Sequence, residues 1–149
     1  MKPRVLLALL ALSLAASLLG GLARLWSLAL PASFIMHHGL LMGGILMPTL
    51  VSLERAVALS TRWSWAVPVV GMMCAACLLA GKGPTEVFLL ALGSGLLIQH
   101  LALARRRPGL DAQVSLLAVA LLLVTDARWI SSHNAPECAL GWATFLVLL

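Results

Sequence analysis

Charged residues are scarce in this sequence of 149 residues: 10% of them are charged, whereas 62% are hydrophobic. The mean hydropathy is +1.05. A chain of this size with so few polar side chains cannot cover the surface of a soluble globule. The composition therefore excludes an ordinary soluble protein and predicts one that is embedded in a lipid bilayer.

Several familiar motifs are also missing. The sequence contains no Walker-type phosphate loop, no Gly-x-Ser-x-Gly and no His-Glu-x-x-His, which excludes the common nucleotide-binding and hydrolase sites but leaves open whether the protein is an enzyme. Three cysteines define no disulfide framework. The formal net charge is +5, but the basic residues lie in short loops rather than on one continuous face, so nucleic acid is not a predicted partner.

What the sequence does contain is a series of apolar runs of about 20 residues, the length that crosses a bilayer. Five runs reach this length and a partial sixth follows; they are residues 5–30, 34–54, 64–81, 86–104, 112–130 and 138–149. The predicted fold is an all-α polytopic transmembrane bundle that forms one domain over residues 1–149. Residues 1–23 also fit a signal peptide, which is the alternative for the first run.

The positions of the basic residues predict how the bundle is oriented. Most of them lie at one end of the predicted helices: Lys2, Arg4, Arg55, Arg62 and the three arginines at residues 105–107. The cytoplasmic loops of membrane proteins carry an excess of Lys and Arg. This end, and with it the N-terminus, is therefore predicted to face the cytoplasm.

Residues 34–62 carry ionisable groups in an otherwise apolar run. His37 and His38 lie near one end, and Glu54 and Arg55 near the other. Such groups are costly in a bilayer and indicate function by default. Two adjacent imidazoles beside glycines suit a haem or copper site, with hydrogen bonds between helices as the alternative. Glu54 is predicted to form an ion pair with arginines of neighbouring loops, because Arg55, the next residue, does not share its helix face.

A second group of residues has the soft ligands that suit Cu(I), namely thiolate, thioether and imidazole. Cys74 and Cys77 share one face of the third helix, Met36 precedes the two histidines, and His133 follows the fifth helix. Counted along the helices, His38, Cys77 and His133 all lie near the outer end, where they would meet if the helices are neighbours. The alternative is that the thiols only pack.

Depth along the helices also separates other polar residues. His100 lies roughly 15 Å deeper than His38, so the two are not predicted to share a haem, and His100 is interpreted as an interfacial histidine. Arg24 and Asp126 lie at similar depth, which predicts an ion pair between them. The alternatives are that Arg24 extends to the outer headgroups and that Arg128 pairs with Asp126.

The second run also carries packing signals. Gly39 and Gly43 have the Gly-x-x-x-Gly spacing, with Gly44 beside them. This spacing predicts that another helix approaches closely. Pro48 predicts a kink, because proline removes one backbone hydrogen bond.

Two segments resemble a known family. Residues 38–42, His-Gly-Leu-Leu-Met, and residues 52–59, Ser-Leu-Glu-Arg-Ala-Val-Ala-Leu, resemble bacterial polytopic membrane proteins with the signature His-Gly-x-Leu-Met…Leu-Glu-Arg-Ala-Val-Ala-Leu. That family is similar to the NnrS-type branch of the haem-copper oxidase-like fold. Residues 141–149 resemble a later helix of the same family. Because those proteins have more helices, the resemblance implies that this chain is a fragment or a half-length member.

The resemblance implies a helical bundle of the bacterial inner membrane in which His38 is a metal-ligand candidate and Glu54 and Arg55 form a structural or proton-linked pair. His37 has no counterpart in the signature. The leading hypothesis is a haem- or copper-binding protein with a redox or nitrosative-stress role, using His38 and His37. The second is a copper-handling or small-solute transport protein. The third is a cofactor-free scaffold that works as a homo-oligomer or with a partner membrane subunit.

Overall fold

The computed structural model describes residues 3–26, 37–133 and 135–149, without the side chains of residues 3–7, 9–10, 24 and 135–137. All regular structure in these residues is helical, which confirms the all-α prediction. In chain order the helices of this part are α1 (Pro3–Trp26), α2 (His37–Leu59), α3 (Trp63–Ala80), α4 (Thr85–Arg106), α5 (Leu110–Ser132) and α6 (Ala135–Leu148).

Four of these helices, α2 to α5, are long and apolar enough to cross a membrane. They correspond to four of the five predicted spans. In α1, which corresponds to the first predicted span, the apolar stretch found is shorter, Ala11–Ala23, and in α6 it is Cys138–Leu148. The short apolar stretch of α6 agrees with the partial sixth run of the sequence.

Helix α2 is longer than predicted and irregular near its start. It continues to Leu59 rather than residue 54, and it contains a π-helical segment, Leu40–Leu46, just before Pro48. The wider turn accommodates the proline ring, which would clash with the preceding turn of a regular α-helix. The hydroxyl of Thr49 donates to the carbonyl of Ile45 at 2.6 Å. The predicted kink therefore takes the form of a π-helical segment followed by a side-chain hydrogen bond.

Three helices are followed by a residue in the left-handed region. These residues are Ser60 with φ 56°, Gly81 with φ 64° and His133 with φ 50°. A single left-handed residue ends a helix and turns the chain away from its axis. The connections after α3, α4 and α5 are short, so each of these helices packs beside the next one along the chain.

The core lies where α4 packs against both α3 and α5, and where α2 contacts α3, α4 and α6. Its largest fully buried side chains include Leu40, Leu41, Ile45, Leu89, Leu92, Leu96, Leu122 and Phe145. Helix α1 is more peripheral. It contacts the π-helical segment of α2 and part of α3, and an apolar cavity of about 700 Å³ is lined by the remaining facing parts of α1 and α3.

Small residues let the helices approach closely, as in other helical membrane bundles. A Cβ built at Gly43 would lie 3.0 Å from Cβ of Trp142, and one at Gly44 would lie 3.2 Å from the indole ring of the same residue. The predicted close approach is therefore found at Gly43 and Gly44, with α6 as the partner. At Gly39 a Cβ would meet no atom of the described residues within 4 Å.

Candidate functional site

A cavity of about 740 Å³ lies at the end of the bundle where α2 and α4 finish and α5 begins. Its polar lining consists of Arg55, His100, Arg106, Arg107, Asp111 and Ser115. The apolar lining consists of Ala58, Leu103, Ala104, Ala112 and Leu149. We call this space the basic cavity. It lies at the end of the helices that the basic residues predict to be cytoplasmic.

The innermost polar side chain of the basic cavity is His100, which is 4% exposed. Its Nδ1 lies 3.0 Å from the carbonyl oxygen of Leu96, so Nδ1 carries a hydrogen and donates it. The other ring nitrogen, Nε2, is buried and has no hydrogen-bond partner among the described residues. Buried polar atoms are nearly always paired, and leaving one unpaired is costly. Nε2 therefore has an unused capacity to accept a hydrogen bond, or to donate one when the ring is protonated.

Arg55 supplies a second buried polar group to the same cavity. It lies one turn before the end of α2, and its Nε is buried without a hydrogen-bond partner in the described part of the chain. An ion-pair contact of Arg55 joins Nη1 to Oε1 of Glu54 at 4.0 Å. Because Glu54 is 71% exposed, this contact contributes little. Within the described residues, the ion-pair partner of Glu54 is thus Arg55, whereas the sequence predicted an arginine of a neighbouring loop.

Arg106 connects the ends of two helices at the rim of the cavity. Its Nη1 donates to the carbonyl of Leu59, the last residue of α2, at 3.3 Å. A cation is favourable at a helix C-terminus because the last carbonyls lack intrahelical partners. Arg106 therefore has a structural role. Arg55 and Arg107 make no such hydrogen bond to a helix end among the described residues, so they are the two arginines available to a ligand.

A buried glutamine holds the neighbouring helix ends together. The side chain of Gln99 is fully buried in α4, and its Nε2 donates to the carbonyl of Ser52 at 3.1 Å and to that of Ser64 at 2.8 Å. Ser52 belongs to α2 and Ser64 to the first turn of α3. These bonds position α2, α3 and α4 relative to one another directly beside His100.

The two predicted haem or copper ligands lie at the other end of α2. His38 and Met42 line a cavity of about 600 Å³ between α1 and α2, and the ring of His38 lies 3.6 Å from a Cβ built at Gly21. Ser17 of α1 donates to the carbonyl of His38 at 3.3 Å. His37 is half-buried, and Met36 lies outside the described residues. His38 and His100 therefore line separate cavities, as their predicted depths require.

The two thiols of α3 contact the connection to α4. Cys74 is buried and its Sγ lies 3.5 Å from the carbonyl of Thr85. Cys77 is half-buried, and its Sγ would lie 2.9 Å from a Cβ built at Gly83. Both residues thus pack against the turn that follows α3.

His133 ends α5 as its left-handed C-cap: its N–H donates to the carbonyl of Trp129 at 2.6 Å, and its ring meets the Trp129 ring edge-on at 5.3 Å. Within residues 3–26, 37–133 and 135–149, no group of three or more His, Cys, Asp or Glu side chains could hold a metal ion. The predicted meeting of His38, Cys77 and His133 is not found there.

With this geometry established, the chain can be compared with known proteins. A family model matches residues 4–149, almost the whole sequence. The chain belongs to the family described as a domain of unknown function, DUF8744. No curated protein and no solved structure matches it significantly.

The DUF8744 chain also contains a buried carboxylate between α5 and α6. Asp126 is 1% exposed; its Oδ1 accepts a hydrogen bond from Nε1 of Trp142, and its Oδ2 has no partner among the described residues. The sequence predicted Arg24 as the partner, but the side chain of Arg24 lies outside the described part. The bond from Trp142 could not be predicted because Trp142 lies 16 residues further along the chain, on another helix.

Sequence reasoning missed the basic cavity of this DUF8744 protein. It interpreted His100 as interfacial and used residues 105–107 only to predict the orientation of the bundle. One available clue was that Arg55 and His100 each lie within two turns of helix ends at the same side of the bundle. That clue was weak without the knowledge that α4 packs against both α2 and α5.

Proposed function

We propose that this protein is a multi-pass integral membrane protein that binds an anionic ligand in the basic cavity. The observation that carries the proposal is the buried Nε2 of His100, which has no partner among the described residues and lies in a cavity lined by three arginines. The four long apolar helices support the membrane location. The proposed location is the bacterial inner membrane, with the N-terminus and the basic cavity on the cytoplasmic side.

The charge of the lining favours an anion. Three arginines and one carboxylate, Asp111, contribute an excess of positive charge. The guanidinium group is planar and presents paired N–H donors that match the oxygens of phosphate and carboxylate groups. Attraction between charges is also stronger beside a low-dielectric protein and membrane interior than in bulk water.

The positive-inside distribution alone accounts for basic side chains that extend from a membrane end into water. It accounts well for Arg105, which is exposed and does not line the cavity. It does not explain why His100 is buried with one nitrogen unpaired in the described contacts, or why Nε of Arg55 is buried beside it. A ligand in the cavity would pair with both groups.

The test is thermal unfolding of the detergent-purified chain in the presence of anions. The panel consists of inorganic phosphate, sulfate and a short-chain phosphatidylglycerol, added to the parent protein and to an R55Q/R107Q variant. A ligand at about 100 times its Kd stabilises the folded state by roughly 2.7 kcal/mol. We expect at least one anion to raise the Tm of the parent protein, and this rise to disappear in R55Q/R107Q.

The matched control is R105Q, paired with the single variant R107Q. Both remove one positive charge from the same helix end, but only Arg107 lines the cavity. R105Q should keep the anion-dependent rise in Tm and R107Q should reduce it. If no anion stabilises the parent protein, or if R105Q loses the effect as fully as R107Q, the proposal is wrong.

The proposed orientation has its own experiment. In a background with Cys74, Cys77 and Cys138 replaced by serine, a single cysteine is introduced either at Lys82, between α3 and α4, or at Gly109, between α4 and α5. A membrane-impermeant maleimide added to intact spheroplasts should label K82C. It should label G109C only after the membrane is permeabilised. The opposite pattern would reverse the orientation.

A second candidate function is the haem- or copper-binding role that the resemblance to NnrS-type proteins implies. Its support is the cavity of about 600 Å³ beside His38, which Met42 also lines. Residues four apart lie on one face of a helix, so an imidazole and a thioether face the same space, and both bind Cu(I). His38 and Met42 would hold copper through an imidazole nitrogen and a thioether sulfur, and of the two groups this pair of ligands on one helix face fits copper better.

The test of this second function is an ultraviolet-visible spectrum with metal analysis of protein purified from a haem- and copper-replete host. Stoichiometric copper that is lost in H38A and M42L, but retained in the control M47L, would support it. A Soret band lost in H38A would point to haem instead. A colourless, metal-free parent protein would exclude this role for the chain and leave a cofactor-free membrane protein.

A further inference from the structure

We infer that the ligand of the basic cavity is the phosphodiester headgroup of a membrane phospholipid that carries a hydroxyl or ammonium donor. In this arrangement Arg55 and Arg107 bind the phosphate, His100 pairs with a polar atom of the same headgroup, and Asp111 accepts from the donor. The inference rests on the proposed function and names the chemical class of its ligand.

The depth of the cavity is the first observation. Arg55 lies four residues before the end of α2 and His100 six residues before the end of α4, which corresponds to roughly 6 and 9 Å along the helix axes. The polar layer of each bilayer leaflet is roughly 5 to 8 Å thick outside a hydrocarbon core of about 30 Å. With the ends of α2 and α4 placed at the outer edge of this polar layer, the buried polar groups lie where lipid phosphates meet the first carbons of the lipid.

The size and the mixed lining of the cavity are the second observation. Its volume of about 740 Å³ falls in the range of roughly 300–1,000 Å³ that holds ligands far larger than inorganic phosphate. The cavity is lined by apolar side chains as well as by the arginines, among them Leu103 from α4 and Ala112 from α5. An amphipathic ligand uses both kinds of surface, whereas a free inorganic anion uses only the arginines.

Asp111 is the third observation, because a carboxylate is unfavourable in a site for a free anion. It is exposed in the first turn of α5, whereas His100 is buried in α4. Ser115 lies one turn further along α5 and also lines the cavity. A headgroup with its phosphate near the arginines and a hydroxyl or ammonium donor toward Asp111 gives both the arginines and the carboxylate a hydrogen-bond partner. Asp111 thus acts as the specificity-determining residue.

The experiment is titration calorimetry on the detergent-purified full chain with three probes. Short-chain phosphatidylglycerol has a phosphodiester and hydroxyl donors. Short-chain phosphatidylcholine has the phosphodiester and a quaternary ammonium group that has no hydrogen to donate, and inorganic phosphate has no lipid portion. Hydrogen bonds to charged groups are strong enough to change affinity about tenfold or more. We expect phosphatidylglycerol to bind at least about tenfold more tightly than either other probe.

The variant D111N replaces the charged acceptor by a neutral one, and D111N should be compared with E86Q, which removes a carboxylate in the first turn of α4 that does not line the cavity. D111N should bring the affinities for phosphatidylglycerol and phosphatidylcholine to within about threefold of each other and strengthen binding of inorganic phosphate. E86Q should leave the ranking unchanged. R55Q/R107Q should weaken binding of all the phosphate-containing probes.

The possible failures are distinguishable. If inorganic phosphate binds as tightly as phosphatidylglycerol and this depends on Arg55 and Arg107, the cavity serves a soluble anion: the lipid inference is overturned and the proposed function stands. If phosphatidylcholine equals phosphatidylglycerol, the role of Asp111 is wrong. If no probe depends on Arg55 and Arg107, both the inference and the proposed function are overturned.

Discussion

The indole nitrogen of Trp142 donates a hydrogen bond to Oδ1 of Asp126 over 3.1 Å, and both side chains are buried. This bond joins α5 to α6 in a part of the bundle where an unpaired carboxylate would be expensive. The same indole covers Gly43 and Gly44 of α2. Trp142 therefore connects three helices, and its two kinds of contact can be tested separately.

The first prediction concerns the hydrogen bond of Trp142. W142F keeps most of the aromatic packing but removes the donor and leaves Oδ1 of Asp126 unpaired among the described groups, so we expect a loss of about 1 kcal/mol of unfolding free energy. In a D126L background, W142F should cost less, because the acceptor is already gone. Unfolding by SDS in mixed micelles measures the four proteins of this double-mutant cycle. Equal costs in both backgrounds would show that the bond is not formed.

The second prediction uses two glycines one turn apart. G43A adds a methyl group within 3.0 Å of Cβ of Trp142, and this overpacking should destabilise the protein by about 1–3 kcal/mol. G39A is the matched control: its methyl group meets no described atom within 4 Å, and alanine is the better helix former by about 1 kcal/mol. The same unfolding assay compares them. If G39A is less stable than G43A, the close approach of Trp142 to Gly43 is contradicted.

The third prediction concerns the contact of Gly71 with Thr49, where a Cβ at residue 71 would overlap the threonine hydroxyl. G71A should lower the unfolding free energy by about 1–3 kcal/mol. T49A makes room for the methyl group, so G71A/T49A should be more stable than the sum of the two single effects predicts. The control is T125A, because Thr125 contacts Gly141 instead. G71A and T125A should therefore be additive within about 0.5 kcal/mol.

The fourth prediction concerns Gln99. Q99L removes the donor that serves the carbonyls of Ser52 and Ser64, and we expect a loss of about 1–3 kcal/mol of unfolding free energy. Q113L is the matched control at an exposed position of α5, where a surface substitution changes stability by no more than about 0.5 kcal/mol. Similar costs for both variants would contradict the bridging role of Gln99.

Much of the fold could be predicted because hydropathy and helix length are local properties. The apolar runs matched α2 to α5 to within a few residues at most ends, and the main exception has a physical reason. α2 continues past Glu54 and Arg55 because a helix accommodates charged side chains near its end at low cost when they reach the interface. It ends where Ser60 adopts a left-handed conformation, and no sequence motif predicts that conformation.

The candidate sites were harder to predict from the sequence than the helices were. The pairing of His38 with Met42 follows from spacing on one helix, but their cavity exists because α1 packs beside them. His100 and Arg55 were each visible as ionisable groups. Their meeting in one cavity depends on which helices are neighbours and how each is rotated about its axis.

The amino-acid sequence by itself determined that this chain forms long apolar helices with basic residues at one end, because these properties depend on residues close together in the chain. The tertiary structure decided that Trp142 is the partner of Asp126, that Gln99 joins α4 to α2 and α3, and that three arginines line the same cavity as a buried histidine. These contacts join residues on different helices. Their formation depends on helix order and rotation, which side-chain packing selects only when the whole bundle assembles.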